Sequence, residues 1–485
     1  MTNNIQDNNS SIKAKVRIAV YWDFFSKFST QGMQFIFSII LARILSPTEY
    51  GIIALPMVFL AVAQCFVNSG FSAALIRKPQ ITDSDLSTAF IFNVLVGFVC
   101  YFILFLSSPY IADFYNEPIL CDLLKITALS TILVPLQSVQ YALLNRKLDY
   151  KTPAIIAFWG NLITGLVGIY LAYNGYGVWA LVLQGLAGNL FSLFVVWLVI
   201  RWRPKFVWSW NSFHYLFGFG SKILASGVID ALHDNIYPIV IGKCYSAKDL
   251  GLYNRALGYA KLPFTQINGM LDSISYPVLS KFQGDQSQLS AIFLRFLRIN
   301  IFILCPIMLG LASLAYPLII VMITDKWSKC VPFLQILCLP VIFWPIQTLN
   351  FTVLKVLGRS DILLKLNIGI KLLGVVIMCF TVPFGIIAMC YGSIVHAILG
   401  LSWAMYYTGR LTKVGFICQI REMLPSVLLG VTMFVVIQIS IAFIESLILQ
   451  LIVGSVIGFS CYMLLAVCFK RPEIKDIMYL INLKK

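Results

Sequence analysis

Composition, the length of the apolar runs and the placement of basic residues together predict an all-α polytopic membrane protein of about 14 transmembrane helices. Hydrophobic residues make up 59% of the chain and charged residues only 12%, at a mean hydropathy of +0.86. A water-soluble globular chain carries roughly twice that share of charge. Apolar runs of about 20 residues, long enough to cross ~30 Å of hydrocarbon, recur more than ten times. When the runs are numbered in order, 25 of the 36 Lys and Arg fall in alternate connecting segments. That alternation is the bias that keeps positive loops on the cytoplasmic side. Helices, which satisfy their own backbone groups, are the structures such runs can adopt in lipid.

Residues 1–17 are polar and read as a cytoplasmic tail. They hold no short apolar core with a small-residue cleavage site, so the first span is expected to stay in place. That span, 18–43, has a wet side: Asp23, Lys27, Thr30, Gln34 and Ser38 recur at steps of three or four and line one helix face. An ionised side chain inside a bilayer costs at least ~2.5 kcal/mol, so this face is expected to meet a hydrated, protein-lined interior. SPTEYG at 46–51 then turns the chain. Ser46 or Thr48 is the expected N-cap, with Pro47 in the first turn and Glu49 near the positive helix end.

Spans follow at 51–75, 87–108, 119–142, 153–173 and 177–200, completing an N-lobe over 18–200. The segment 201–216, RWRPKFVWSWNSFHYL, mixes Arg and Lys with aromatics and reads as an interfacial linker on the cytoplasmic face. A C-lobe over 217–409 holds spans at 216–242, 250–276, 295–322, 331–356, 361–382 and 385–408. In the seventh span Lys222, Ser226, Asp230 and Asp234 fall four apart, with His233 beside them. The eighth is the most polar, carrying Arg255, Lys261, Gln266, Asn268 and Asp272, with Pro263 and Pro277 able to bend it. Two more spans, 423–444 and 446–469, lie in the segment 420–469, before a basic cytoplasmic tail at 470–485.

SPTEYG recurs as SAKDLG at 246–251, six spans later. An even number of spans gives both copies the same orientation, so two six-helix lobes related by a pseudo-two-fold axis along the membrane normal are expected, plus two C-terminal helices. Several function classes are excluded. The 12 cysteines are scattered without a CxxC, and the 3 histidines have no ligand spacing, so neither a disulfide framework nor a metal site is expected. There is no GxxxxGK[ST] nucleotide loop. No connecting segment is long enough for a catalytic domain, so the chain is not expected to be an enzyme and no cofactor is expected. The net charge of +16 reflects topology and anionic lipid headgroups, and no basic domain supports nucleic-acid binding.

Two readings compete for the intramembrane charges. In the first, Lys27, Lys222, Arg255 and Lys261 form a cationic, hydrated passage whose polar lining includes Thr30, Gln34, Gln266 and Asn268. Asp23, Asp230, His233 and Asp234 are then the candidates for coupling to H+ or Na+. In the second, the same charges are paired with one another and hold helices together.

LARILSPTEYGIIAL, GFSAALIRK (70–78), NRKLDY (145–150), GYGVWALV (175–182) and YNRALGYAKLPFTQI with YPVLSKFQGD (253–285) carry a family resemblance. From the first span to about residue 290 the chain resembles the oligosaccharide flippases of the polysaccharide exporter family, colanic-acid-exporter type, within the multidrug/oligosaccharidyl-lipid/polysaccharide exporter superfamily. The resemblance implies a fourteen-span, two-lobed fold working by alternating access. It also implies a cargo, a polyprenyl-pyrophosphate-linked oligosaccharide moved from the cytoplasmic to the periplasmic leaflet of a bacterial inner membrane, with both termini cytoplasmic. Polysaccharide polymerase and glycosyltransferases are the implied partners, beside membrane lipids. The family has no site motif to carry over residue by residue. A drug/cation antiporter of the same superfamily would want an acidic passage, and a membrane-embedded sugar polymerase or ligase would want a large periplasmic loop. A flippase for the lipid-linked peptidoglycan precursor is the remaining alternative.

The topology has a direct check. In a cysteine-free background, Asn116→Cys and Asn174→Cys are expected to be labelled in intact cells by an impermeant thiol reagent, and Asp149→Cys and Gln286→Cys are not. Labelling of Asp149→Cys from outside would overturn the fourteen-span order.

Overall fold

The computed structural model describes residues 22, 28–68, 70–147, 149–474 and 476, with only the helical backbone described at 270, 272 and 273. It is almost wholly helical, with no strand, among the described residues. Among the described residues, twelve helices are long and apolar enough to cross a membrane. The remaining two expected spans are α1, helical over 28–44 among the described residues, and the polar α12, Ala247–Lys281. The chain divides into two compact units, Met1–Gly251 and Leu252–Lys485.

In the first unit, α1 is followed by α2 (Pro47–Asn68), α3 (Phe71–Arg77), α4 (Asp83–Tyr115), and the broken span α5 (Ile119–Thr127), α6 (Ser130–Leu133) and α7 (Pro135–Arg146). After them come α8 (Lys151–Tyr173), α9 (Val178–Val199), α10 (Trp210–Asp234), α11 (Ile236–Cys244) and the first turn of α12. The two similar hexapeptides start helices in the same way. Glu49 folds back to accept from the Ser46 backbone N–H (2.6 Å) and hydroxyl (2.8 Å), while the Glu49 N–H donates to Ser46 Oγ (3.3 Å). Ser46 and not Thr48 is therefore the cap, in a reciprocal box that satisfies otherwise orphaned N–H groups. In the second copy Ser246 Oγ donates to Asp249 (2.6 Å) and receives the Asp249 N–H (3.1 Å).

These two helix starts also touch. A Cβ at Gly51 would lie 1.6 Å from the carbonyl oxygen of Ala247, and one at Gly251 would lie 1.9 Å from that of Pro47. Only glycine lets backbones approach this closely.

The basic loop residues expected on the cytoplasmic side are structural as well as topological. Arg146 donates to the carbonyls of Leu75 (3.2 Å), Lys78 and Pro79, satisfying the C-terminal end of α3 and the turn after it. Thr82 caps α4 in a box with Asp85, a fully buried carboxylate that also pairs with Lys78 at 2.6 Å. The linker docks on the same helix end: the Lys205 N–H donates to Ser87 Oγ (3.2 Å) and the Ser209 N–H to Thr88 Oγ1 (3.0 Å).

The second unit holds the rest of α12, then α13 (Gln286–Ser313), α14 (Ala315–Ile323), α15 (Cys330–Val356), α16 (Ser360–Thr381), α17 (Ile386–Leu411), α18 (Phe416–Ile441) and α19 (Leu447–Cys468). Its centre is α13 and α15, whose most apolar windows are 61% and 67% buried, against 22% for α16 and α19. Buried amides tie neighbours to this pair. Asn350 of α15 and Gln419 of α18 exchange two amide bonds (3.1 and 3.2 Å) with both side chains fully buried. Tyr462 of α19 donates to the Phe302 carbonyl of α13 at 2.9 Å.

Gly51→Ala and Gly251→Ala are expected to destabilise by ~1–3 kcal/mol or more, since a backbone carbonyl cannot step aside as a side chain can. Gly258→Ala, with nothing within 4 Å of the added methyl, is the neutral control. Thermal unfolding of the purified protein in detergent checks this: equal midpoints for all three would remove the tight crossing.

Candidate functional site

Of the polar residues singled out in the sequence, Asp23 and Lys27 lie outside the described residues. In the first unit Thr30 is partly buried, and the exposed Gln34 donates its amide to Asn161 of α8 at 2.7 Å. Helix α10 is unbroken from Trp210 to Asp234, so Lys222, Asp230 and, nearby, His233 and Asp234 follow the spacing that places them along one side. Lys222, Asp230 and Asp234 are exposed, and the His233 ring stands 3.6 Å from the Asp234 carboxylate. The span containing α10 is the least apolar of the twelve, with a window only 11% buried. The helix packs on α2, where Cys65 Sγ donates to the Gly227 carbonyl at 3.3 Å.

In the second unit the cations of α12 lie against aromatic rings. The Arg255 guanidinium stands 5.2 Å from the ring centre of the fully buried Trp327 and 5.7 Å from that of Tyr259. The Lys261 ammonium stands 5.6 Å from the ring centre of Trp344, which Phe264 braces edge-on at 5.3 Å. An aromatic face attracts a cation by ~0.5–2 kcal/mol without neutralising it. Lys261 has no carboxylate within ion-pair distance among the described residues. It thus lies midway along a 35-residue helix with no carboxylate to offset it among the described residues. Gln266 is exposed and Asn268 half-buried on the same helix.

Among the described residues, several ion pairs of this unit lie away from α12. Arg295 meets Asp476 at 2.9 Å, Arg298 meets Glu422 at 3.6 Å, and Arg471 meets the buried Glu473 at 2.5 Å. They tie α13, α18 and the segment after α19 together near the helix ends. Between α13, α18 and α19 lies a cavity of about 530 Å³ whose lining is almost wholly apolar, including Phe302, Ile307, Met433, Phe459 and Tyr462. Gly310, Gly454 and Gly458 help open it. No sequence stripe pointed to it, because an apolar cavity wall reads the same as a packed helix face. Among the described residues no group of His, Cys, Asp and Glu is arranged to hold a metal ion.

With the geometry in place, similarity to known proteins locates the chain. A family model described as "Polysaccharide biosynthesis protein" matches residues 40–332. Teichuronic acid biosynthesis protein TuaB of Bacillus subtilis is 27% identical over 94% of this chain and 96% of its own length. Succinoglycan biosynthesis transport protein ExoT of Rhizobium meliloti is 25% identical, covering 96% and 95%. Lipopolysaccharide biosynthesis protein WzxC of Escherichia coli is 24% identical over 74% of this chain and 73% of its own. Among solved structures, the lipid II flippase MurJ in an inward closed conformation superposes with a TM-score of 0.74 at 19% identity, covering 94% of this chain and 99% of that one. An inward-facing multidrug resistance MATE family transporter of the MOP superfamily superposes at 0.60 with 15% identity, covering 78% and 96%. At these identities the structural likeness establishes the fold. The family model covers more than half of the chain, which is thus a multi-pass membrane protein of the polysaccharide biosynthesis protein family.

Proposed function

We propose that this protein moves a polyprenyl-diphosphate-linked oligosaccharide from the cytoplasmic to the periplasmic leaflet of a bacterial inner membrane, for the synthesis of a surface polysaccharide such as O-antigen, capsule or exopolysaccharide. Both termini are cytoplasmic in this reading. The relatives carry names from teichuronic acid, succinoglycan and lipopolysaccharide biosynthesis, and that of ExoT includes transport. The observation that carries the reading is Lys261, an ammonium seated on Trp344 and bound to no carboxylate among the described residues.

A diphosphate and a sugar chain cannot enter hydrocarbon unaided, because each stranded polar group costs several kcal/mol. Protein cations must take over from water at the phosphates, and in the second unit Lys261, beside Arg255 on the same helix, is offered for that role. The apolar cavity between α13, α18 and α19 offers a protein surface to part of the polyprenyl chain. Outward movement of about two negative charges through an inside-negative potential is favourable by roughly 4–5 kcal/mol per 100 mV, if they cross the whole field. Asp230, His233 and Asp234 remain the groups through which H+ or Na+ would be coupled. A drug/cation antiporter would need carboxylates where α12 carries Arg255 and Lys261.

Lys261→Ala is expected to reach the membrane at normal level, since no opposite charge is stranded, and to bind the lipid-linked cargo 10- to 150-fold less tightly, the loss of one contact worth ~1.5–3 kcal/mol. It is expected to fail to restore surface polysaccharide to a transporter-null strain, while Lys261→Arg retains part of the activity. Normal export by Lys261→Ala removes the residue from the site. Disappearance of the variant from the membrane assigns it a structural role instead.

A further inference from the structure

Inside the first unit, between α2, the broken span α5–α6–α7 and α9, lies a second cavity, of about 370 Å³. Its lining differs in kind from that of the apolar cavity. Gln64, Thr127, Ser130 and Asn189 face it among apolar neighbours such as Met57 and Leu181, and no ionisable side chain does among the described residues. Gln64, Ser130 and Asn189 make no side-chain hydrogen bond to any described residue. Thr127 donates its hydroxyl to the Leu123 carbonyl at 2.7 Å, which leaves its lone pairs to accept. One turn beyond the lining Val134, on the same face, Gln137 is 7% exposed and its amide oxygen is without a partner.

Polar groups in a membrane-embedded unit are ordinarily bonded, because an unmade bond there is costly. Several amides and hydroxyls left unbonded around one cavity of ligand size mark a place where bonds are made to something else. The chemistry of that partner is restricted. With no cation the cavity cannot neutralise a diphosphate, and with no carboxylate it cannot hold a metal ion or a cationic drug. Amides and hydroxyls both donate and accept, and so does a sugar hydroxyl. The apolar walls suit the C–H faces of a sugar ring. We infer that this cavity is a carbohydrate subsite, taking one neutral sugar residue of the cargo through Gln64, Ser130, Asn189 and the Thr127 oxygen. The inference rests on the function proposed above and divides its labour: charge for the diphosphate, neutral amides for the sugar.

The test compares binding of two probes by the purified full-length protein in detergent. One is polyprenyl diphosphate without sugar, and the other is the lipid-linked oligosaccharide fraction extracted from the host after deletion of its polysaccharide polymerase. Gln64→Leu and Asn189→Leu, near-isosteric and stranding no partner, are expected to fold at wild-type abundance. Each is expected to bind the sugar-bearing lipid about tenfold less tightly than wild type, one or two hydrogen bonds' worth, and to bind polyprenyl diphosphate unchanged. Gln64→Asn, which keeps the amide, is expected to recover part of the loss. If both leucine variants bind the sugar-bearing lipid as wild type does, the cavity holds only water and the subsite is overturned while the proposed cargo stands. If both probes weaken alike, the cavity acts on general architecture and the subsite again fails. If wild type binds neither probe, the cargo reading falls and the subsite with it.

Discussion

Hydrocarbon has no water with which to bond an amide, a carbonyl or a charge, and each polar group carried into these helices has to be answered by another part of the chain. The structure answers in three chemically distinct ways. At the helix ends, carboxylates and guanidiniums serve the backbone: Glu49 and Asp85 close N-terminal boxes and Arg146 collects three carbonyls. In the interior of the second unit, neutral amides answer one another, as Asn350 and Gln419 do. On α12 the cations rest on the faces of Trp327 and Trp344.

Of these, the Lys261 ammonium over Trp344, which meets no carboxylate among the described residues, is the one whose charge stays available. A buried ion pair is neutral to an approaching anion, whereas an ammonium over an indole keeps its field and gains only orientation and a modest attraction. The complete pairs, Arg298 with Glu422 and Arg295 with Asp476, are found instead where α13, α18 and the segment after α19 are tied together. In the function proposed above, Lys261 serves ligand attraction, while Arg295 and Arg298 serve stability.

Much of this was legible in the sequence, for identifiable reasons. The existence and order of the spans follow from run length and from the alternation of Lys and Arg, because the bilayer imposes both. A helix start in SPTEYG follows from its capping residues, while the choice of Ser46 over Thr48 comes from the hydrogen bonds to Glu49. Contacts between distant spans leave no such trace. Nothing local to Lys261 announces Trp344, a ring 83 positions further on. Arg146 looked like one more cytoplasmic charge until its carbonyl partners on α3 were seen. Gln64 and Asn189 are single amides in separate apolar spans, with no periodic stripe, and only the fold gathers them around one space.

The crossing of α2 and α12 has a symmetry of its own. The sixth residue of each hexapeptide, Gly51 or Gly251, lies against the second residue of the other, Ala247 or Pro47. Such exchange of roles is what a two-fold axis produces, and it is the hallmark of an isologous dimer contact. A half-length chain carrying one hexapeptide could make the whole contact with a second copy of itself, without a second sequence to complement it. Neither copy is thus free to change alone: a side chain gained at one glycine is met by the backbone of the other copy.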